Sequence, residues 1–249
     1  MQTNDVVVVT GAAQGIGRAI ALRLASSGAE LSLWDLQHEG AEETAALCRK
    51  TGARAQASRV DVGDWPQVRA AADEVRQRCG APFAFVSNAG IFPRSGVLLD
   101  TDPAVWERVL RVNLLGAFHC AKALGSMMVE RQRGAIVTIA SGRALQGTPA
   151  GAHYAASKAG LLSLTKSLAL ELAGQSIRVN CVIPGVTETA QPLENTTIDE
   201  LRSRGAKIPL GRIGQPEDIA GVVAFLLGKD ASYITGQAIA VNGGAIMIP

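Results

Sequence analysis

The chain has 249 residues, 47% hydrophobic and 18% charged, enough for one large α/β domain with a core of its own. Its 24 basic and 22 acidic side chains leave a net charge of +2, and aromatic residues make up 4%, which argues against a nucleic-acid surface. The four cysteines, at 48, 79, 120 and 181, form no CxxC pair and stand near no histidine in ligand spacing, so neither a disulfide framework nor a metal site is expected. Met1 to Asp5 carries no basic segment ahead of an apolar signal core, and no apolar run approaches membrane-spanning length. The expectation is a soluble, cytoplasmic chain whose partner is a small molecule rather than a nucleic acid or a membrane.

The first predicted strand is the β-branched run Val6 to Val9. It runs into Thr10-Gly11-Ala12-Ala13-Gln14-Gly15-Ile16-Gly17 and then a helical pattern from Arg18 to Ser27. Strand, glycine turn and helix, in that order, make a phosphate cradle: glycine permits close backbone approach, and the helix start offers N–H donors at the positive end of its dipole. Gly11, Gln14, Gly15, Ile16 and Gly17 are therefore candidate pyrophosphate contacts. A second strand, Glu30 to Trp34, ends in Asp35, eighteen residues after Gly17. An acid at that offset can accept hydrogen bonds from both ribose hydroxyls of an adenosine and repels a 2′-phosphate, which favours NAD over NADP. With Leu36 next to it and Gln14 in the turn, no basic residue takes its place.

The alternation continues with a helix from Glu39 to Lys50, a strand from Arg54 to Val60 ending at Asp61-Val62, and a helix from Pro66 to Arg78. This rhythm implies right-handed crossovers and a parallel sheet. Phe83 to Ser87 is a fourth strand, closing at Asn88-Ala89-Gly90, where small residues let a cofactor ring lie against the backbone. Pro103 opens a long helix with Asn113 in its apolar stretch, a poor helix former that calls for a reason. Its amide could hold a water or a backbone carbonyl.

A fifth strand, Ala135 to Ala140, delivers Ser141 to its C-terminal end, the edge at which open α/β sheets bind ligands. Tyr154 and Lys158, thirteen and seventeen residues later, are spaced i and i+4 on a helix running to about Leu172, so they share one face. A free phenol has a pKa of about 10, and a neighbouring ammonium is expected to lower it and make Tyr154 a general acid/base. A sixth strand, Ile177 to Val182, stops at Pro184-Gly185. The polar stretch from Val186 to Ile208 is expected to form a loop that serves as a lid. A helix from Pro216 through Leu227 and a strand from Gln237 to Val241 complete the chain. His153 is turned about 100° from Tyr154 and is assigned to the surface or an interface. Arg94 and Arg143 follow strand ends and could clamp an acidic substrate. Ile91, Leu145 and Thr148 suggest a mixed, moderately apolar pocket.

Taken together, these segments resemble a short-chain dehydrogenase/reductase from Val6 to about Gly244. Thr10 to Gly17 matches the family's TGxxxGxG turn, Asp61-Val62 its adenine-contacting pair, and Ser87-Asn88-Ala89-Gly90 its NNAG segment. Asn113, Ser141, Tyr154 and Lys158 match its catalytic tetrad. Pro184, Gly185, Val186 and Thr187 resemble the segment that binds the nicotinamide carboxamide, and Tyr233 to Gly236 with Val241 to Gly244 is similar to the closing strand. Ser87 and Asn242 depart from the usual Asn and Asp.

The resemblance implies a single Rossmann-like domain over residues 1–249, a doubly wound parallel sheet of seven strands with helices on both faces. It also implies a homotetramer built in part from the helices carrying Asn113 and Tyr154. The implied activity is hydride transfer between an alcohol or its ketone and nicotinamide, with Lys158 bound to the nicotinamide ribose and Asn113 holding a water that links Lys158 to solvent. Alternatives are a 3-oxoacyl-acyl-carrier-protein reductase and a non-catalytic NAD(H)-binding protein; isomerases and lyases also use such scaffolds.

Overall fold

The structure is a computed structural model and describes residues 1–93, 96–189 and 197–247. Each apolar run anticipated above becomes a strand: β1 Val6–Thr10, β2 Glu30–Asp35, β3 Ala55–Arg59, β4 Ala84–Ser87, β5 Gly134–Ile139, β6 Ile177–Pro184 and β7 Ala238–Val241. They pair in parallel in the order β3-β2-β1-β4-β5-β6-β7. The order reverses between β1 and β4, and crevices of open sheets form at such a point.

Eight helices connect the strands among the described residues: α1 Gly15–Ala25, α2 His38–Lys50, α3 Trp65–Cys79, α4 Pro103–Leu110, α5 Gly116–Arg131, α6 Ala152–Leu172, α7 Ile198–Gly205 and α8 Pro216–Leu227. Strand alternation divides the core between two faces. Val7, Val9, Leu31 and Leu33 pack on one face with Ile20 and Leu24 of α1, Cys48 of α2 and Val223 and Leu226 of α8. Val6, Val8, Phe85 and Ile136 pack on the other with Val68 and Val75 of α3 and Leu124 and Met128 of α5. Helix starts are fixed locally: Asp64 accepts from Gln67 N at 3.1 Å, and Asp102, ahead of Pro103, accepts from Ala104 N at 2.8 Å.

Three expectations are corrected here. The segment from Val186 to Ile208 is not all loop, since it contains α7, anchored by the buried Leu201; residues 190–196 lie outside the described residues. The long helix opened by Pro103 is interrupted by a π-helical turn, Arg111–Leu115, that carries Asn113. The whole of Pro103–Arg131 is also long and apolar enough to cross a membrane by length and composition, contrary to the sequence reading. Its apolar face, including Val109, Cys120, Leu124 and Met128, is buried within the domain instead.

Candidate active site

The switch point is tied together by one threonine and one asparagine. Thr10 Oγ1 accepts from Asn88 N and Ala89 N, both at 3.1 Å, and donates to Val86 O at 3.3 Å. Asn88 Nδ2 donates to Thr10 O and Gly11 O, each at 3.0 Å, which fixes the glycine turn against the end of β4. Gly11 has φ +65°, a region that disfavours side chains, and a Cβ on Gly17 would lie 1.9 Å from Gly11 O. Both positions therefore exclude larger residues for backbone reasons.

At the start of α1, Gln14 makes no side-chain cap and the first turn holds no acid. The N–H groups there keep their donor capacity and the positive dipole end is uncompensated, which fits a pyrophosphate. Beside the turn, Asp35 Oδ2 accepts from Ala13 N and Oδ1 from Gln37 N, both at 2.9 Å. Each oxygen keeps a lone pair for a ribose hydroxyl. Leu36 is 54% exposed next to it, and Gln14 borders a shallow groove with Arg18 and Gln37. Asp61 Oδ1 accepts from Gly63 N at 2.8 Å, and Val62 is buried with its carbonyl 3.0 Å from His119 Nδ1. The residues present thus fit a dinucleotide.

A cavity of about 440 Å³ opens past the ends of β4, β5 and β6. Ser141, Tyr154 and Lys158 line it together, as do Ile16, Asn88, Gly90 and Pro184 through Thr187. Ser141 caps a short turn, its Oγ accepting from Arg143 N at 3.3 Å. Tyr154 is 9% exposed, and burial pushes its phenol above the ordinary value, while a hydrogen bond to Ser141 and the charge of Arg143 pull the other way. Lys158 is buried too. Its Nζ donates to Ile139 O at 2.8 Å and lies 5.7 Å from the centre of the Tyr154 ring, and burial lowers its pKa to about 8. The expected lowering of Tyr154 by Lys158 is therefore corrected: desolvation of the phenol wins, and the lysine's own charge is disfavoured by the same burial.

A family model described as enoyl-(acyl carrier protein) reductase, adh_short_C2, matches residues 11–245. Among curated relatives, 2-(S)-hydroxypropyl-CoM dehydrogenase 3 of Xanthobacter autotrophicus is 40% identical over 98% of each chain. A 3-oxoacyl-[acyl-carrier-protein] reductase of Staphylococcus aureus is 39% identical over 99% of this chain and 100% of its own. The chain belongs to the short-chain dehydrogenase/reductase family. Among solved structures of this family, an NAD⁺-bound xylitol dehydrogenase superposes with a TM-score of 0.91 at 33% identity, over 98% of this chain and 100% of that one.

Within the family frame, Asn113 takes a different position from the other three members of the tetrad. It is fully buried behind the cavity, accepting from Ile91 N at 2.8 Å and donating to Ile91 O and Ser157 Oγ, both at 3.0 Å. Both amide hydrogens are thereby committed to protein, one of them to a backbone carbonyl, and a second lone pair on Oδ1 is what the side chain keeps for the expected water. A Cβ on Gly90 would come within 3.2 Å of Lys158 Nζ and 3.3 Å of Asn113 Oδ1, so the segment just after β4 lies close to both side chains.

Asn242 has its own explanation: Oδ1 accepts from Gly244 N at 2.9 Å and Nδ2 donates to Ile246 O at 2.8 Å, the second bond being one that an ionised Asp cannot make. His153 is neither surface nor interface in this chain. It is 1% exposed, between the rings of Phe92 and Trp106, and burial lowers its pKa. Arg143 does line the cavity, and Arg94 lies outside the described residues. The sequence reading did not single out Phe92, Gln146, Leu201, Arg204 or Ile246, which complete the walls. Only the position of Phe92 shortly after Asn88-Ala89-Gly90 offered a signal.

Proposed function

We propose that this chain is an NAD-dependent oxidoreductase that moves a hydride between a secondary alcohol, or its ketone, and nicotinamide, with Tyr154 as general acid and base. The observation that carries the reading is the convergence of Ser141, Tyr154 and Lys158 in one cavity beside the glycine turn. When bound, the nicotinamide supplies or accepts the hydride. Gly11, Gln14, Gly15, Ile16 and Gly17 would hold the pyrophosphate, Asp35 and Leu36 the adenosine ribose, and Asp61 and Val62 the adenine. Asn88, Ala89 and Gly90, with Pro184, Gly185, Val186 and Thr187, would hold the nicotinamide half.

The chain's own residues then divide the proton chemistry. Ser141 Oγ accepts from the Arg143 amide, and its hydroxyl, within hydrogen-bonding reach of Tyr154, can donate to a substrate oxygen placed between the two. Tyr154 delivers a proton to a carbonyl oxygen or takes one from an alcohol. Lys158, fixed by the Ile139 carbonyl, is held to reach the nicotinamide ribose and to steady the phenolate once it forms. Because burial raises the phenol's pKa, Tyr154 is an acid at neutral pH, suited to reduction. Alcohol oxidation needs its ionised form, so kcat/KM for oxidation should climb on the alkaline side while reduction stays flat through neutrality.

NAD rather than NADP is supported by the carboxylate of Asp35 at the ribose end and by the occupation of Arg18, which bonds Thr44 at 2.9 Å and pairs with Glu43 at 3.1 Å. A second reading, reduction of 3-oxoacyl thioesters, draws on the reductase relatives and would favour NADPH. The test is the initial rate with NADH and NADPH against small, cyclic and aryl ketones, keto sugars and 3-oxoacyl thioesters, on the wild type and Tyr154→Phe. Loss of about 10²-fold or more in turnover with NADH binding retained is expected for the variant; near-full turnover would overturn the assignment, and NADPH preference would move the thioester reading first.

A further inference from the structure

The cavity that holds Ser141, Tyr154 and Lys158 is cationic without a counter-charge. Arg143 and Arg204 line it along with Lys158, and none of its described lining residues is Asp or Glu. Neither arginine pairs with a carboxylate among the described residues. Pairing with a carboxylate is common but not general among the described arginines: Arg18, Arg76, Arg133 and Arg212 are paired, whereas Arg59 and Arg69 are not. What sets Arg143 and Arg204 apart is that both border one cavity together with the Lys158 ammonium.

Arg143 is also pre-set. Nη1 donates to Thr148 Oγ1 at 3.0 Å and to Ala150 O at 3.2 Å, and Cζ lies 4.8 Å from the centre of the Phe92 ring. Phe92 in turn stacks against Tyr154, ring centres 4.6 Å apart. The guanidinium is thus two ring contacts from the phenol, with its Nε and Nη2 hydrogens uncommitted among the described residues. Arg204 approaches from α7, where it shares a helix face with Leu201, three residues earlier, and both reach the cavity.

We infer that the substrate carries an anionic group, a carboxylate, sulfonate or phosphate, bound between Arg143 and Arg204 while its carbinol or carbonyl carbon faces Tyr154 and Ser141. This rests on the oxidoreductase reading and adds to it the class of substrate. A planar fork of donors matches such an anion in two parallel hydrogen bonds, and α7 lines one wall of the cavity through Leu201 and Arg204. Phe92, Val186, Leu201 and Ile246 would cover a short carbon body between the two ends. The rival role for Arg204 is contact with the cofactor's pyrophosphate, and the test separates the two.

The experiment measures binding of acetoacetate, acetonylsulfonate and acetonylphosphonate, against the neutral 2-pentanone, to the enzyme loaded with NADH, by calorimetry and by quenching of NADH fluorescence. At least one anion should bind about tenfold or more tighter than the neutral ketone. Arg143→Met, which keeps an apolar stem over Phe92, and Arg204→Ala, on an exposed helical position, should each reduce that preference about fivefold or more without weakening NADH itself. Equal binding of anions and neutral ketone overturns the inference, as does a preference untouched by both substitutions. A loss of NADH affinity in Arg204→Ala with the preference intact assigns that arginine to the cofactor and overturns the two-arginine clamp. Binding preference without turnover of any ketone would leave the anion site standing and count against the oxidoreductase reading, so the two fail separately.

Discussion

Lys158 is a buried cation that pairs with no carboxylate among the described residues, and its hydrogen bond to Ile139 O only partly offsets the desolvation. A folded-state pKa of about 8, against about 10.4 for a free lysine, means that the unfolded chain binds its proton more tightly than the native one does. Below pH 8 both states are protonated and folding carries the full penalty, about 3 kcal/mol from that difference. As pH rises from 8 toward 10.4 the native lysine is already neutral, and the penalty is relieved. Lys158→Met should therefore stabilise the cofactor-free enzyme by about 1–2 kcal/mol at pH 7, after the lost hydrogen bond is deducted, and the gain should shrink by pH 10. Urea unfolding at the two pH values checks this, with turnover lost at both. The convergence of Ser141, Tyr154 and Lys158 was legible in the sequence because i and i+4 positions and a strand end fix geometry locally. The direction of the tyrosine's pKa was not, because it depends on how deeply the phenol is buried by Phe92 and α6, which spacing does not encode.

The π turn at Arg111–Leu115 shows what an element can do beyond its side chains. An extra residue in the turn re-aims the helix so that Asn113 faces the segment after β4, where it satisfies both the N–H and the C=O of Ile91 and reaches Ser157 on α6. Replacing Asn113 with Ala would leave two backbone groups beneath the cavity without partners. The expected cost is about 2–4 kcal/mol in urea unfolding, while a conservative change on the exposed face of the same helix should stay within about 0.5 kcal/mol. A periodicity of 3.6 residues carries no mark of a π turn; the one sign was an asparagine in an apolar stretch. α7 escaped for a related reason. It is eight residues long with Leu201 as its buried anchor, too little to set up a repeat, and its place is fixed by packing against the segment at Ile213, which a Cβ on Gly205 would touch.

At the scale of the molecule, the alternation of strands and helices made the parallel sheet legible and the family resemblance implied its double winding, whereas the order of strands and the switch point between β1 and β4 are findings of the structure. The far wall of the cavity is another. Arg204 and Ile246 arrive from segments remote in sequence from Tyr154, and only tertiary packing brings them there. The same holds for surfaces left uncovered. Leu115 and Phe118, three residues apart on one face around the start of α5, are 42% and 44% exposed, and Leu170, Phe225 and Tyr233 are exposed on α6, α8 and the turn that follows. Two such sets of apolar side chains fit the two interface types of a dihedral tetramer, in which each patch meets its own copy across a two-fold axis. Light scattering on the purified enzyme should then give four times the 25.9 kDa chain mass. Glutamate at both Leu115 and Phe118 should reduce it to twice that mass, since like charges facing each other across a two-fold axis repel and must be desolvated. A monomer mass for the wild type would remove the tetramer, and an unchanged tetramer in the double variant would place its interfaces elsewhere.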